Sequence, residues 1–522
     1  MFAVYPLVAA AALAPLVGHA TTHVAVGDGS GDSFLFLWNI WWVKVAVFER
    51  LASPFHTDLI YWPQGTQLAL HSMSLANGFL SAPIQLAFPG TAGLVFALNL
   101  MVVLTFVLTG IAAHRLAEAS GARPLAAVLS GLLAMLAPYR FFHLSHLDVL
   151  SMQWGLLCLL WLPRALESGA AAWRARIVLA VLAALTTYSD YEVAVYTAMA
   201  SVFLVIWRWS SAPSAASALR IVRGIAISLG MTLVLHIPLL LALLGINDRV
   251  RPAGGRLYVA TLGTLVRHGA SGPPNEAFLG TAFVIVLVVM AVFVRRPAFW
   301  MWLLLGGGFL VLSLGDALEV GHTTLLEDQM PWVWLKAVAP FMNLSRTPVR
   351  MAGFGSVLLA VAMGTAFQKT TAGSRKRDWV VAGLMVLLVA ERWPWSPIAT
   401  IEATVPQAYQ SLAAEPGDFV IRPLPDRYRH QLVYMFWQTV HRKRITGGYV
   451  SRPTDAVRAS IEEWQSLSGD QLRARLNAAG VRYVIVHTDD ASKLLTTEPR
   501  VSMVTDSSPS RSVGGSALRG GR

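Results

Sequence analysis

The sequence is a succession of apolar runs separated by short polar breaks. Setting runs against breaks gives eleven candidate helices: 2–20, 91–113, 125–138, 149–162, 177–188, 193–207, 224–246, 278–294, 298–314, 351–367 and 379–391. About 20 apolar residues cross the hydrocarbon core of a bilayer, so this is the pattern of an all-α polytopic membrane protein with about eleven transmembrane helices. Several runs are short, which predicts helices that are broken or end in a protein-lined cavity. The run Phe34–Phe48 is different. It contains Asn39 and Lys44, is followed by Glu49 and Arg50, and is short for a crossing. Its Trp38, Trp41 and Trp42 favour the headgroup level, so it is expected as an interfacial helix capped by Asp32 or Ser33.

After residue 395 the pattern changes. Val420-Ile421 and Val481–Val486 read as buried strands, while 428–440 and 455–478 read as helices, the second ending at Gly480. The expected organisation is a membrane domain over 1–394 with an outer loop 21–75, then a small α/β domain over 395–506. The Ser/Gly/Arg-rich 507–522 reads as a disordered tail.

Composition agrees with a membrane protein: of 522 residues 55% are hydrophobic and 13% charged, where a soluble domain carries about 25% charged. The net charge of +12 therefore bears on topology and lipid headgroups before nucleic acid. Five of the short loops (114–124, 163–176, 208–223, 295–297 and 368–378) hold 14 Lys and Arg in 55 residues; the opposite set holds 10 in 137. The positive-inside rule then puts the basic loops and the N-terminus in the cytoplasm. The stretch 27–66 and the C-terminal region fall outside. The first twenty residues lack a basic leader and read as an uncleaved first span. The single cysteine, Cys158, excludes an intrachain disulfide and a cysteine metal site.

The candidate chemistry gathers at the outer ends of the spans. Asp28 and Asp32 lie in the turn Gly27-Asp28-Gly29-Ser30-Gly31-Asp32, with His56 and Asp58 further on. Arg140, His143 and His146 follow one another at helical spacing, Asp190 and Glu192 sit in a very short turn, and Arg346 and Arg350 are four apart across Pro348. Ionisable groups at a membrane are costly unless paired or wet, which makes them functional candidates. A carboxylate beside an attacking hydroxyl is a general base, and arginines hold phosphate. An outward site has no nucleotide sugar, so an activated donor must arrive in the lipid itself. Each element also has a plainer reading: a solvated turn for Asp28 and Asp32, snorkelling side chains for Arg140, His143 and His146, and side chains pointing apart on a helix for Asp190 and Glu192, which in an irregular turn could instead share a cation. Of other classes, a flippase would place ionisable groups in mid-span, and a glycan-lipid-binding scaffold would keep the surface without the reaction.

In order, Gly27–Asp32, Phe36–Asn39, Trp41–Lys44, Pro54–Asp58, Pro63–Gly65 and Asn77-Gly78 form one set of motifs. Pro138–Arg140, Ser145–Leu147, Gln153-Trp154, Ser345–Arg350, Gln438–His441, Gly447–Arg452 and Gly480–Val484 continue it. Together they resemble an uncharacterised bacterial branch of the GT-C class of polytopic glycosyltransferases, which use polyprenyl-phosphate sugars. The resemblance implies an inner-membrane transferase with an external site and an essential aspartate after the first span, here Asp32 or Asp28, with Asp32 favoured. It also implies a glycan, lipid or protein acceptor, with Arg140, Arg346 and Arg350 on the donor phosphate. His56, Asp58, His143, His146, Asp190 and Glu192 would be substrate-binding. A divalent cation, Mg or Mn, would fall to Asp28, Asp32 or Asp190 if one is used. Asp190-Tyr191-Glu192 departs from the aromatic pair common in that branch.

Overall fold

The computed structural model describes residues 2–211, 214–250, 258–266, 276–320, 323–367, 375–487 and 501–504; the 507–522 stretch expected as a tail lies outside them. The chain is mostly helical and divides into two compact units. One contains 1–18, 100–240 and 252–399, the other 19–99, 241–251 and 400–522. Residues 21–75, expected as a loop of the membrane domain, thus fold together with the residues after 399.

In the first unit each apolar run has become helix. The run 2–20 is broken into Val4–Ala12 and Ala14–Gly18. Five helices are long and apolar enough to cross a membrane: Thr91–Ala119, Pro124–Phe142, Ala170–Ser189, Tyr191–Ser210 and Ala216–Leu244. Thr281–Phe293, Pro297–Ser313 and Arg350–Thr365 are shorter apolar helices. The last is central, with every residue from Met351 to Thr365 buried. Glycines let its backbone approach its neighbours, as small residues do where lipid supplies no hydrophobic drive. A Cβ on Gly355 would lie 2.8 Å from the Gly306 carbonyl, one on Gly353 would enter the Tyr139 ring, and one on Gly364 would strike Ser130. By contrast Ala215–Leu244 turns out Leu219, Val222, Leu229, Val234 and Leu240. So large an apolar face is unfavourable in water and at ease in hydrocarbon.

The second unit is built on the helix Asp32–Lys44, which continues as one π-helical turn, Val45–Glu49. The helix forms where expected, but it is not interfacial in character. Trp38, Trp41 and Trp42 are buried, and every residue from Ser33 to Ala46 with them. The reason is that protein supplies their polar partners: Trp38 Nε1 donates to Gln438 Oε1 (2.8 Å) and Trp42 Nε1 to the Pro54 carbonyl (3.0 Å). Nor do Asp32 or Ser33 cap it; Gly31, in a left-handed conformation, precedes the first turn without a side-chain cap.

The inverted polarity lies one helix later. Leu75–Ala87 buries Asn77, Ser81 and Gln85 and exposes Phe79, Leu80 and Leu86, with Phe88 just beyond its end. Gln85 Nε2 donates to the Ile40 carbonyl and to Ser81 Oγ. At 13 residues this helix is about 20 Å long, too short to cross, and the crossing-length helix Thr91–Ala119 follows within three residues of Phe88. Its apolar outer face is that of a helix lying in the interface.

Residues 400–504 supply a four-stranded sheet in the order Val501–Val504, Val481–His487, Val420–Leu424, Arg444-Ile445. The last three strands are parallel and the first is antiparallel. The connection from Val420–Leu424 to Arg444-Ile445 is the helix Tyr428–His441, since parallel neighbours need a crossover. The expected 455–478 helix is two, Asp455–Ser466 and Gly469–Ala478, and Gly480 follows at φ +67°, a C-cap conformation suited to glycine.

Gln438 joins these elements. Fully buried, it accepts from Trp38 and donates to the Leu59 and Lys443 carbonyls (2.7 and 2.9 Å). Gln438→Ala takes the partner from the Trp38 N–H and the Lys443 carbonyl, while the Leu59 carbonyl keeps its bond from the Ile445 N–H, costing about 2 kcal/mol. We expect thermal unfolding in detergent to shift down by several degrees, whereas Gln410→Ala, which removes one exposed bond to the Val405 carbonyl, leaves the midpoint unchanged.

Candidate functional site

The residues singled out in the sequence fall into two groups, one in each unit. In the second unit the turn before the Asp32 helix has Gly27, Gly29 and Gly31 at φ of +58°, +79° and +86°, conformations open to glycine at little cost. Asp28 and Ser30 stabilise it locally: Asp28 Oδ1 accepts from the Ser30 N–H (3.0 Å), and Ser30 Oγ from the Asp32 N–H (3.2 Å). Asp28 is thereby a turn residue. Asp32 is placed in the first helical turn, where a negative charge is favoured by the helix dipole, and its Oδ1 accepts from the Tyr428 hydroxyl at 2.7 Å.

Around Asp32 and Tyr428 stands a polar and aromatic set that the sequence did not point out as a site. Tyr449 packs edge-on to Tyr428 (centroids 4.9 Å, 80°) and to His71 (6.3 Å, 78°). His71 is buried between Asn39 Oδ1 (3.1 Å) and Ser451, whose Oγ and N–H both meet Nδ1. Burial pushes the His71 imidazole down to about 3, so at neutral pH the ring is uncharged. Burial and then the Asp32 charge push the Tyr428 phenol up, so it remains a hydrogen-bond donor. The Tyr61 hydroxyl donates to the Gly448 carbonyl (2.8 Å) and fixes the turn that carries Tyr449. Tyr428 is 396 positions from Asp32, and no local spacing announces such a pair.

His56 and Asp58 have other occupations. His56 is an exposed residue of a two-residue strand paired with Thr66-Gln67. Asp58 is held by Arg444 (2.8 and 2.9 Å) and Arg50 (3.4 Å). Burial raises its carboxyl, but the bonds and charges of Arg444 and Arg50 outweigh that and hold it below the usual range. That is an ion-paired link between two segments.

In the first unit Arg140 requires correction. Expected on a donor phosphate, it is fully buried, donates to the Leu150 carbonyl (3.1 Å) and Thr105 Oγ1 (3.3 Å), and lies over the Phe106 ring. The Leu150 carbonyl and Thr105 take its two Nη groups, while the buried Nε has no hydrogen-bond partner. Arg350 is likewise engaged: its Nη1 meets Glu192 Oε2 at 3.0 Å, and the same carboxylate accepts from Ser345 Oγ (2.8 Å) and Thr347 Oγ1 (3.3 Å). With Asp148 and Asp190 also near enough to interact, Arg350 faces an excess of carboxylates, which disfavours a phosphate there. Among the described residues Arg346 shows no ion pair. His143 Nε2 donates to Glu276 Oε1 (2.9 Å), and its ring meets those of Tyr139 and His146. Glu276, Asp148 and Tyr139 are members of this cluster that sequence reasoning did not single out.

For a divalent cation, no group of three or more His, Cys, Asp or Glu among the described residues could hold a metal ion. Asp32 takes a phenol O–H and Asp28 a backbone N–H, whereas Mg and its like ask for about six oxygen ligands. Asp28, Asp32 and Asp190 as they stand do not fit a cation site.

Two comparisons by sequence gave nothing: no protein-family model and no curated protein matches the chain. Solved structures do. The chain is similar to the arabinofuranosyltransferase AftD from Mycobacteria, with a TM-score of 0.59 at 16% identity over 94% of this chain and 35% of that one. It is similar to ArnT from Cupriavidus metallidurans, with a TM-score of 0.50 at 11% identity over 95% of this chain and 93% of that one. The fold is that of GT-C glycosyltransferases. A third member, the Archaeoglobus fulgidus oligosaccharyltransferase, gives a TM-score of 0.50 at 11% identity over 93% of this chain and 69% of that one. This chain spans about a third of the length of AftD. At these identities the GT-C likeness is one of fold.

Asp190 makes a sharp prediction. It lies between two crossing-length helices, buried, with Oδ1 accepting the Val193 N–H at 2.7 Å. Burial first, and then the Asp148 and Glu192 charges, raise its carboxyl to about 8. A raised carboxyl gives stability that is fully present below the unfolded value near 4 and is lost as pH climbs through 8. Asp190→Asn keeps an acceptor for Val193 and removes the titration. Between pH 5 and 9 the wild-type melting temperature should therefore fall more steeply than the variant's.

Proposed function

We propose that this protein is a membrane glycosyltransferase that moves a sugar from a polyprenyl-phosphate-linked donor to an acceptor hydroxyl outside a bacterial inner membrane. The orientation follows from the basic loops, and the C-terminal residues would lie on the same outer side as Asp32. The observation that carries the reading is Asp32, on a GT-C fold, at the head of a buried helix with its carboxylate met by Tyr428.

In this reaction the acceptor oxygen attacks the anomeric carbon as the bond from that carbon to the phosphate oxygen breaks. The leaving group departs as polyprenyl phosphate, and the acceptor proton passes to a carboxylate oxygen of Asp32, from which water later removes it. Tyr428 donates to Oδ1 and orients the carboxylate. Asp28, occupied by its turn, supports the position of Asp32.

A strain lacking the gene, profiled for glycans and lipid-linked sugars, supplies the assay. General-base removal costs about 10²–10⁴-fold, so Asp32→Asn should restore no more than a trace of the missing glycan, whereas Asp28→Asn should restore most of it. An Asp32→Asn protein that reaches the membrane in normal amount and rebuilds the glycan would refute the assignment.

A further inference from the structure

The surroundings of Asp32 bear on what the acceptor is. Tyr428 directs its hydroxyl at the carboxylate while 45% of the residue stays exposed. Tyr449, partly exposed, stands nearly perpendicular to it. The two rings thus form a corner with a carboxylate at one end. The corner is rigid. Tyr449 is backed by the buried His71, which Asn39 and Ser451 pin on both nitrogens, and its turn is tied down by Tyr61. Neither ring depends on a ligand for its position.

Fixed, half-exposed aromatic faces beside a carboxylate suit a ligand with a flat C–H face and hydroxyls around its edge. A sugar ring has both: its C–H groups stack on the electron-rich face of a tyrosine, and a hydroxyl can reach the carboxylate. A serine or threonine hydroxyl on a peptide, or the glycerol of a lipid, has no such face. Resting on the assignment of Asp32 above, we infer that Tyr428 and Tyr449 form the wall of a saccharide subsite, so that the acceptor is a hydroxyl of a sugar already present in a glycan. Tyr428 has two functions there, separable by substitution: its ring stacks, and its hydroxyl positions Asp32.

The test uses the full-length protein in lipid nanodiscs. The probes are methyl glycosides of common hexopyranoses and of arabinofuranose, and binding is read by saturation-transfer NMR on their ring C–H protons. At least one glycoside should show transfer with wild type, falling about fivefold or more in Tyr428→Ala and Tyr449→Ala. Tyr428→Phe, which keeps the ring, should retain it, and so should Asp32→Asn. In the glycan assay Tyr428→Phe should move the acidic limb of the pH profile upward, because a hydrogen bond to the charged carboxylate is lost; a merely structural tyrosine would not move it. Failure of every glycoside to bind wild type overturns the inference. So does undiminished binding in both alanine variants, or loss of binding in Tyr428→Phe. If the alanine variants lose binding while Asp32→Asn remains active, the subsite stands and the base is elsewhere, so the two claims fail separately.

Discussion

The arrangement depends on a hydrogen-bonded joint between segments some 400 residues apart. Gln438 accepts from Trp38 and donates to the carbonyls of Leu59 and Lys443, all inside one buried region. A buried amide of this kind permits very few registers, because each of its groups must find a partner. Setting the Tyr428–His441 helix against the Asp32–Lys44 helix in that register brings Tyr428, one residue into its own helix, to the carboxylate of Asp32. Asp58 and Arg444, and Glu49 and Arg442, add ion pairs along the same junction. Exposed pairs such as these contribute little individually; the buried amide and the tryptophans around it set the register.

Much of the membrane domain was legible because hydrophobic runs are a local signal. Each apolar stretch from 91–113 to 379–391 is helix, as the bilayer requires. The strands at 420 and 481 were visible for the same reason, as short β-branched runs. What misled was composition without partners. Trp38, Trp41 and Trp42 carry a membrane-interface signature, yet protein acceptors let them go inside. Leu75–Ala87 was overlooked because Asn77, Ser81 and Gln85 make its stretch look polar, although those are the residues it buries.

The candidate site was legible only on one side. A glycine-rich turn with two aspartates can be seen in a single line of sequence, and it singles out Asp28 and Asp32. Which of the two faces a partner is decided by Tyr428, and a lone tyrosine at the head of a distant helix carries no sequence signal. The arginines show the converse. Arg140 and Arg350 have the right chemistry for phosphate, but a charge inside a membrane domain must be satisfied by something, and here the Leu150 carbonyl, Thr105 and Glu192 satisfy it.

The way the units divide the chain also has a consequence for how the protein is made. Residues 19–99 leave the ribosome some 300 residues or more ahead of the residues after 399 with which they fold. At synthesis rates of about 5–20 residues per second, the Asp32 helix waits on the order of tens of seconds with Trp38 lacking its Gln438 partner. The carboxylate of Asp32 therefore acquires its tyrosine partner only once the Tyr428–His441 helix has been made.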